Sequence, residues 1–150
     1  MKYWIAVVSR DHVAKGVEEG ICQVCHGSQS AVSSMKEGDW IIYVSPHHHY
    51  VKSLENNETS QIEASAYQFV ALGRIKDEHI YQKELFPGFS PYCRDTEYVD
   101  NIGEVPFDPL KHEFDFFKDN RSLELVLRRG LFEVSFHDFQ RIRDAMERRG

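Results

Sequence analysis

Residues 3–9, Tyr-Trp-Ile-Ala-Val-Val-Ser, are rich in aromatic and β-branched side chains, with apolar groups at both odd and even positions. Successive side chains of a strand point to opposite faces, so this run reads as a strand buried on both sides. Such a strand needs a core around it. A chain of 150 residues is long enough to supply one, because a domain of that size buries about 70% of its unfolded surface without disulfides or metal. A single domain over residues 1–150 is expected. No apolar run approaches the roughly 20 residues that span a bilayer, and residues 1–5 lead into patterned sequence without a signal segment. Three cysteines, an odd number, argue against a secreted disulfide scaffold. The expectation is a soluble, cytoplasmic protein with no membrane contact.

Turn residues divide the rest into short pieces. Ser9 is placed to cap a helix carrying Val13 and Val17, which Gly20 stops. Residues 21–25 read as extended and 27–30 as a loop. Lys-Glu-Gly-Asp at 36–39 is turn chemistry leading into a second strand at 40–45, which Pro46 ends. Residues 47–65 lose apolar periodicity and fill with His, Asn, Glu and Ser, the pattern of a surface loop or insertion. Strands are expected at 69–75, 79–82 and 91–98, with a loop at 83–90 around Pro87-Gly88. The extended piece near 104–110 is broken by Pro106 and Pro109 and belongs at an edge. Leu123, Leu125 and Leu127 fit a strand or a helical turn equally. Ser135 and Asp138 resemble a capping box for a last helix, with Phe136, Phe139, Ile142 and Met146 on one face. The fold class expected is α+β: a mostly antiparallel sheet, curled toward a barrel and flanked by short helices.

A net charge of −6 discourages a domain that coats nucleic acid with its whole surface. Residues 121–150 nevertheless carry seven arginines against five acids, which allows a local basic face. Cys22-Gln23-Val24-Cys25-His26 has the C-x-x-C-H spacing of haem attachment, but that chemistry belongs to exported chains. Zinc held by these residues with His47, His48 and His49 lacks the second tight ligand pair of a structural site. No cofactor and no metal are expected. The sequence has no G-x-S-x-G elbow, Walker loop or G-x-G-x-x-G, and no enzyme is expected. Aromatic residues are plentiful in the extended segments; most belong to a core, but a few could stack a flat ring. Arg94, Arg128 and Arg129 could then contact phosphates beside it.

Several segments together resemble one family. They are residues 3–10 (YWIAVVSR), 22–27 (CQVCHG), 35–43 (MKEGDWIIY), Ser45-Pro46, Gly73-Arg74-Ile75 and 130–135 (GLFEVS). In that order they resemble the EVE domain, of the PUA-like superfamily and related to the YTH domains that read a methylated base in RNA. The resemblance implies a β-barrel flanked by helices, with a side pocket that accepts a base. Carried onto this chain, the pocket wall would be Ser9 and Arg10, then Gln23, Val24, Cys25, His26 and Gly27. Tyr43, Ser45 and Pro46 would complete it. YTH readers surround the methyl group with tryptophans, and none follows Trp40 here, so a cage would use Phe89 and Tyr92. The expected partner is nucleic acid with a modified base, and the alternative is a free nucleobase-like ligand such as a nucleoside or nucleotide.

Overall fold

The computed structural model describes residues 1–46, 67–118 and 126–150. Tyr3–Val7 (β1) and Trp40–Pro46 (β3) run parallel at its centre. Both are apolar along their length, with Ser45 the one polar exception, because they lie between two cores. Ile5, Ile42 and Val44 face one core, with Phe69, Phe107, Phe114 and Phe139. Trp4, Ala6, Ile41 and Tyr43 face the other, with Val24, Val32, Met35 and Ala71. Full burial of one such side chain is worth about 1.5–3 kcal/mol, so this pair of strands anchors the fold.

Around them lie β2 (Ile21–Cys22), β4 (Tyr67–Ile75), β5 (Tyr81–Gln82), β6 (Tyr92–Tyr98), β7 (Val105–Pro106) and β8 (Leu131–Val134). The sheet order is β2-β6-β4-β3-β1-β8, with β5 added to β6 and β7 to β4. Every pairing except β1 with β3 is antiparallel. The sheet curls as a half-barrel, so the expected α+β class and curled, mostly antiparallel sheet are borne out. Helices described in full are α1 (Arg10–Glu19), α2 (Gln29–Ser33), α3 (Asp115–Lys118) and α4 (Phe136–Arg149). Ser135 caps α4, its Oγ accepting the Asp138 N–H at 3.2 Å. Asp138 is buried and in turn accepts the Asp115 and Phe116 N–H groups at 2.8 and 3.0 Å, tying α3 to α4.

Several local readings need correction. Residues 27–30 are not a plain loop, because Ser28 Oγ accepts the Ala31 N–H and starts α2. The strand expected at 79–82 shrinks to Tyr81–Gln82. The 104–110 piece is extended only at Val105–Pro106; Pro109 then sits in the first turn of a 3-10 helix, Asp108–Glu113, where its missing N–H is not needed. Phe136 does not share the buried face of α4: it is 57% exposed, with its ring against Tyr3. Leu127 lies in a helical turn. The loop reading at 47–65, His47 to His49, Leu123 and Leu125 lie outside the described residues.

Candidate functional site

After Cys22 the chain turns sharply, and Tyr43 fixes where it does so. The buried Tyr43 hydroxyl donates to the Gln23 carbonyl at 2.8 Å and accepts the Gln23 N–H at 3.2 Å. Cys25, His26 and Gly27 then take φ of 48°, 58° and 83°, three consecutive left-handed residues. The Gly27 and Ser28 N–H groups close the turn onto the Val24 carbonyl at 3.0 and 3.2 Å. A residue bearing a Cβ costs roughly 1–2 kcal/mol in this conformation, so its surroundings must hold it there. Pro91 supplies much of that restraint: a Cβ on Gly27 would stand 2.7 Å from Pro91 Cβ and 3.6 Å from the Phe89 ring. On another side, a Cβ on Gly130 would lie 3.1 Å from Cys25 Sγ. The turn is thus wedged between the start of β6 and the residue before β8.

Two polar features at this turn stay open. Among the described residues, the N–H groups of Cys25 and His26 make no hydrogen bond. Gln23 is 3% exposed and its side-chain Oε1 has no partner. The cysteines are not set up for nucleophilic chemistry. Burial pushes the Cys22 thiol up to about 11 and also raises Cys25 and Cys93, so none is held as a thiolate at neutral pH.

The sequence-predicted residues fall into three groups. Cys25, His26 and Gly27 are at the turn, and Phe89 and Tyr92 flank it: Phe89 beside Gly27, Tyr92 against the same core cluster as Cys25. Arg128 and Arg129 are exposed just before Gly130, with the Arg129 guanidinium 5.9 Å from the Phe132 ring. Ser9, exposed, precedes Arg10, whose guanidinium donates to the Pro46 carbonyl at 2.9 Å and forks onto Glu104 at 2.7 and 2.8 Å. Val24, Tyr43 and Ser45 form the second group. Their side chains are buried, and Ser45 Oγ donates to the Val8 carbonyl, so they pack into the interior and offer no side chain at the surface. Arg94 stands alone as a correction. It lies on β6 but is 1% exposed, donating to the Met35 and Asp77 carbonyls with Glu78 3.6 Å away. A guanidinium so enclosed pins two loops and cannot reach a phosphate.

Sequence reasoning missed Pro91, Glu104 and His12. His12 on α1 stacks on Phe86 and meets Phe89 at a tilt, with centroids 5.0 and 4.8 Å away. A histidine three residues after a helix cap carried no signal of this, because its partners lie more than seventy positions on. A cavity of about 250 Å³ opens elsewhere, between β7, the 3-10 helix and α4.

The EVE domain model matches residues 2–145. The UPF0310 protein YdcG of Bacillus subtilis is 38% identical over 146 residues, spanning 96% of this chain and 91% of that protein. A UPF0310 protein of Streptococcus mutans is 37% identical over 147 residues, covering 98% of each. Among solved structures, a hypothetical protein from Leishmania major superposes with a TM-score of 0.58 at 12% identity, over 99% of this chain and 96% of that one. Rpa0253 of Rhodopseudomonas palustris gives 0.55 at 17% identity, over 97% and 93%. At those identities the structures speak for the fold alone. The match from residue 2 to residue 145, on a half-barrel whose left-handed turn is the Cys-Gln-Val-Cys-His-Gly run, makes this chain a member of the EVE domain family.

Proposed function

We propose that this EVE domain is a non-catalytic binding module that recognises a nucleobase, a modified one, within DNA or RNA. The observation that carries the reading is the turn at Cys25–Gly27. Three successive left-handed residues are held in place by Tyr43 and Pro91, and two of their N–H groups have no bond within the described chain. Backbone strain that its surroundings maintain is a feature of ligand clamps, and open N–H donors can read the edge of a base. Phe89 beside Gly27, its ring also against His12, and Tyr92 packed on the same core cluster as Cys25 are the rings assigned to stack the base, and stacking on an aromatic is worth about 1–3 kcal/mol per base. Arg128 and Arg129 stand exposed nearby for phosphates. The three raised cysteine thiols favour binding over nucleophilic catalysis.

The reading of a free nucleoside or nucleotide as ligand draws on one further observation. Arg10 is occupied by Glu104 and Arg94 is enclosed, which leaves few cations for a long polyanion on a chain of net charge −6. The test is an affinity screen of short oligonucleotides with modified and plain bases, at two salt concentrations. Preferential binding of a modified base that weakens steeply with salt supports the polymer. A salt-insensitive response to the free nucleoside moves the assignment to the small molecule. No preference among any of these overturns base recognition.

A further inference from the structure

We infer that the cleft beside α4 is a second binding site, for an organic phosphate: a phosphate monoester on a compact apolar or flat body. This inference does not rest on the base-reading turn, with which it shares no residue. The cleft has a volume of about 250 Å³, and its floor is Val105, Pro106, Pro109, Leu110 and Ala145. Its rim is Arg141, Arg148 and Arg149. The last helix explains the layout. Residues 141, 145 and 148 follow i, i+4, i+7 spacing and share one face, and alanine in the middle leaves room between two guanidinium stems.

The charge around the cleft is uneven. Glu113 is taken by Arg141 at 2.6 and 3.2 Å, Asp108 by Lys111 at 2.7 Å, and Glu147 by Arg143 at 3.3 Å. Asp144 accepts from the Gln140 amide at 2.9 Å. Among the described residues, no carboxylate lies within ion-pair distance of Arg148 or Arg149, although the charge of Arg148 adds to that of Arg141 in holding the Glu113 carboxyl below its ordinary value. The carboxyl end of α4 opposes an anion with roughly half a negative charge, which two full positive charges outweigh. Guanidinium forks match phosphate oxygens two at a time, whereas a simple carboxylate would engage one fork. The apolar floor requires a body that bare phosphate lacks. The volume lies below the roughly 300–1,000 Å³ of sites for drug-sized ligands, so that body is small, about that of one nucleotide.

Adenosine 5′-monophosphate, adenosine and inorganic phosphate are the probes, titrated into the intact chain while backbone amide resonances are followed. Saturable shifts at Val105, Leu110 and Ala145 are expected with the monophosphate, and at least tenfold weaker binding with the other two. Arg148→Ala and Arg149→Ala should each weaken the monophosphate at least fivefold, and Ala145→Leu should block it with all charges kept. A tetranucleotide with and without a 5′-phosphate separates the sources: tighter binding of the phosphorylated strand assigns a strand end, tighter binding of the mononucleotide a free metabolite. The inference is overturned if the monophosphate gives no saturable shift there. It is equally overturned if inorganic phosphate binds as tightly, or if Arg148→Ala binds as wild type does. Shifts at Cys25–Gly27 report the other site separately.

Discussion

Two turns, one leading into the central strand β3 and one leading from the edge strand β2 into α2, are finished to different degrees. At residues 36–39, Asp39 accepts the Lys2 and Lys36 N–H groups at 2.9 Å and the Trp4 indole N–H at 3.0 Å. Its own carbonyl accepts from Ile75 at 2.9 Å. The carboxylate ties β1 to the turn before β3, the carbonyl adds β4, and none of those donors is left unmet. At Cys25–Gly27 the backbone is left-handed three times running, and two N–H groups and one buried amide oxygen stay open. The donors at Asp39 are met inside the protein, whereas His26 is exposed and Cys25 half-buried, so their N–H groups face outward and the one buried unmet group at that turn is the Gln23 amide oxygen. Strain and outward-facing donors together are what the proposed binding reading of this turn rests on.

Four substitutions and one pH experiment break or sharpen that contrast. The largest effect is expected from Asp39→Ala. It strands three donors at once and should lower stability by about 3–4 kcal/mol in denaturant unfolding; a loss under 1 kcal/mol would remove Asp39 from its structural role. Burial alone would raise this carboxyl, but the hydrogen bonds from Trp4, Lys2 and Lys36 outweigh it and hold the pKa below the ordinary value. A depressed pKa adds stability that is present above the unfolded value of about 3.9 and lost as pH falls through the folded one. The advantage of wild type over Asp39→Asn should therefore shrink on acidification below about pH 4. An advantage that stays constant down to pH 2 contradicts the assignment.

Next in size is Gly27→Ala. Its φ of 83° and the 2.7 Å approach to Pro91 predict a loss of about 2–3 kcal/mol, together with loss of oligonucleotide binding at temperatures where the variant remains folded. Tyr43→Phe deletes both bonds to Gln23 and should cost about 1–2 kcal/mol. If the turn reads a base, affinity should fall further than stability alone explains; unchanged affinity would uncouple the two. The smallest structural effect belongs to Arg129→Ala. Stability should move by less than about 0.5 kcal/mol, while the slope of log affinity against log salt drops by about one. An unchanged slope removes Arg129 from the phosphate contacts.

The frame was legible because its signals are local. The two-faced apolar run became β1, Gly20 took a left-handed C-cap after α1, and Ser135 capped α4 as its spacing indicated. The Cys-Gln-Val-Cys-His-Gly run was singled out through its resemblance to the EVE domain, and its role as a pocket wall belongs to the proposed function. Its left-handed backbone was not legible, since two of its three left-handed residues carry a Cβ and glycine alone advertises positive φ. Arg94 was misplaced for a related reason. A strand position gives the alternation of faces but not the depth of burial, and only the meeting of the Met35 and Asp77 loops makes an interior place for a guanidinium.

What the sequence determined by itself is which segments form strands and helices and which must be buried. Side-chain alternation, β-branching and capping act within a few residues and need no distant partner. Only the tertiary structure decided which charges remain available. Arg10 finds Glu104 across 94 positions, Arg94 is enclosed, and Arg148 and Arg149 face a cleft floored by Val105 and Leu110. Whether an arginine is spent or free depends on what long-range packing brings beside it, and that has no signature along the chain.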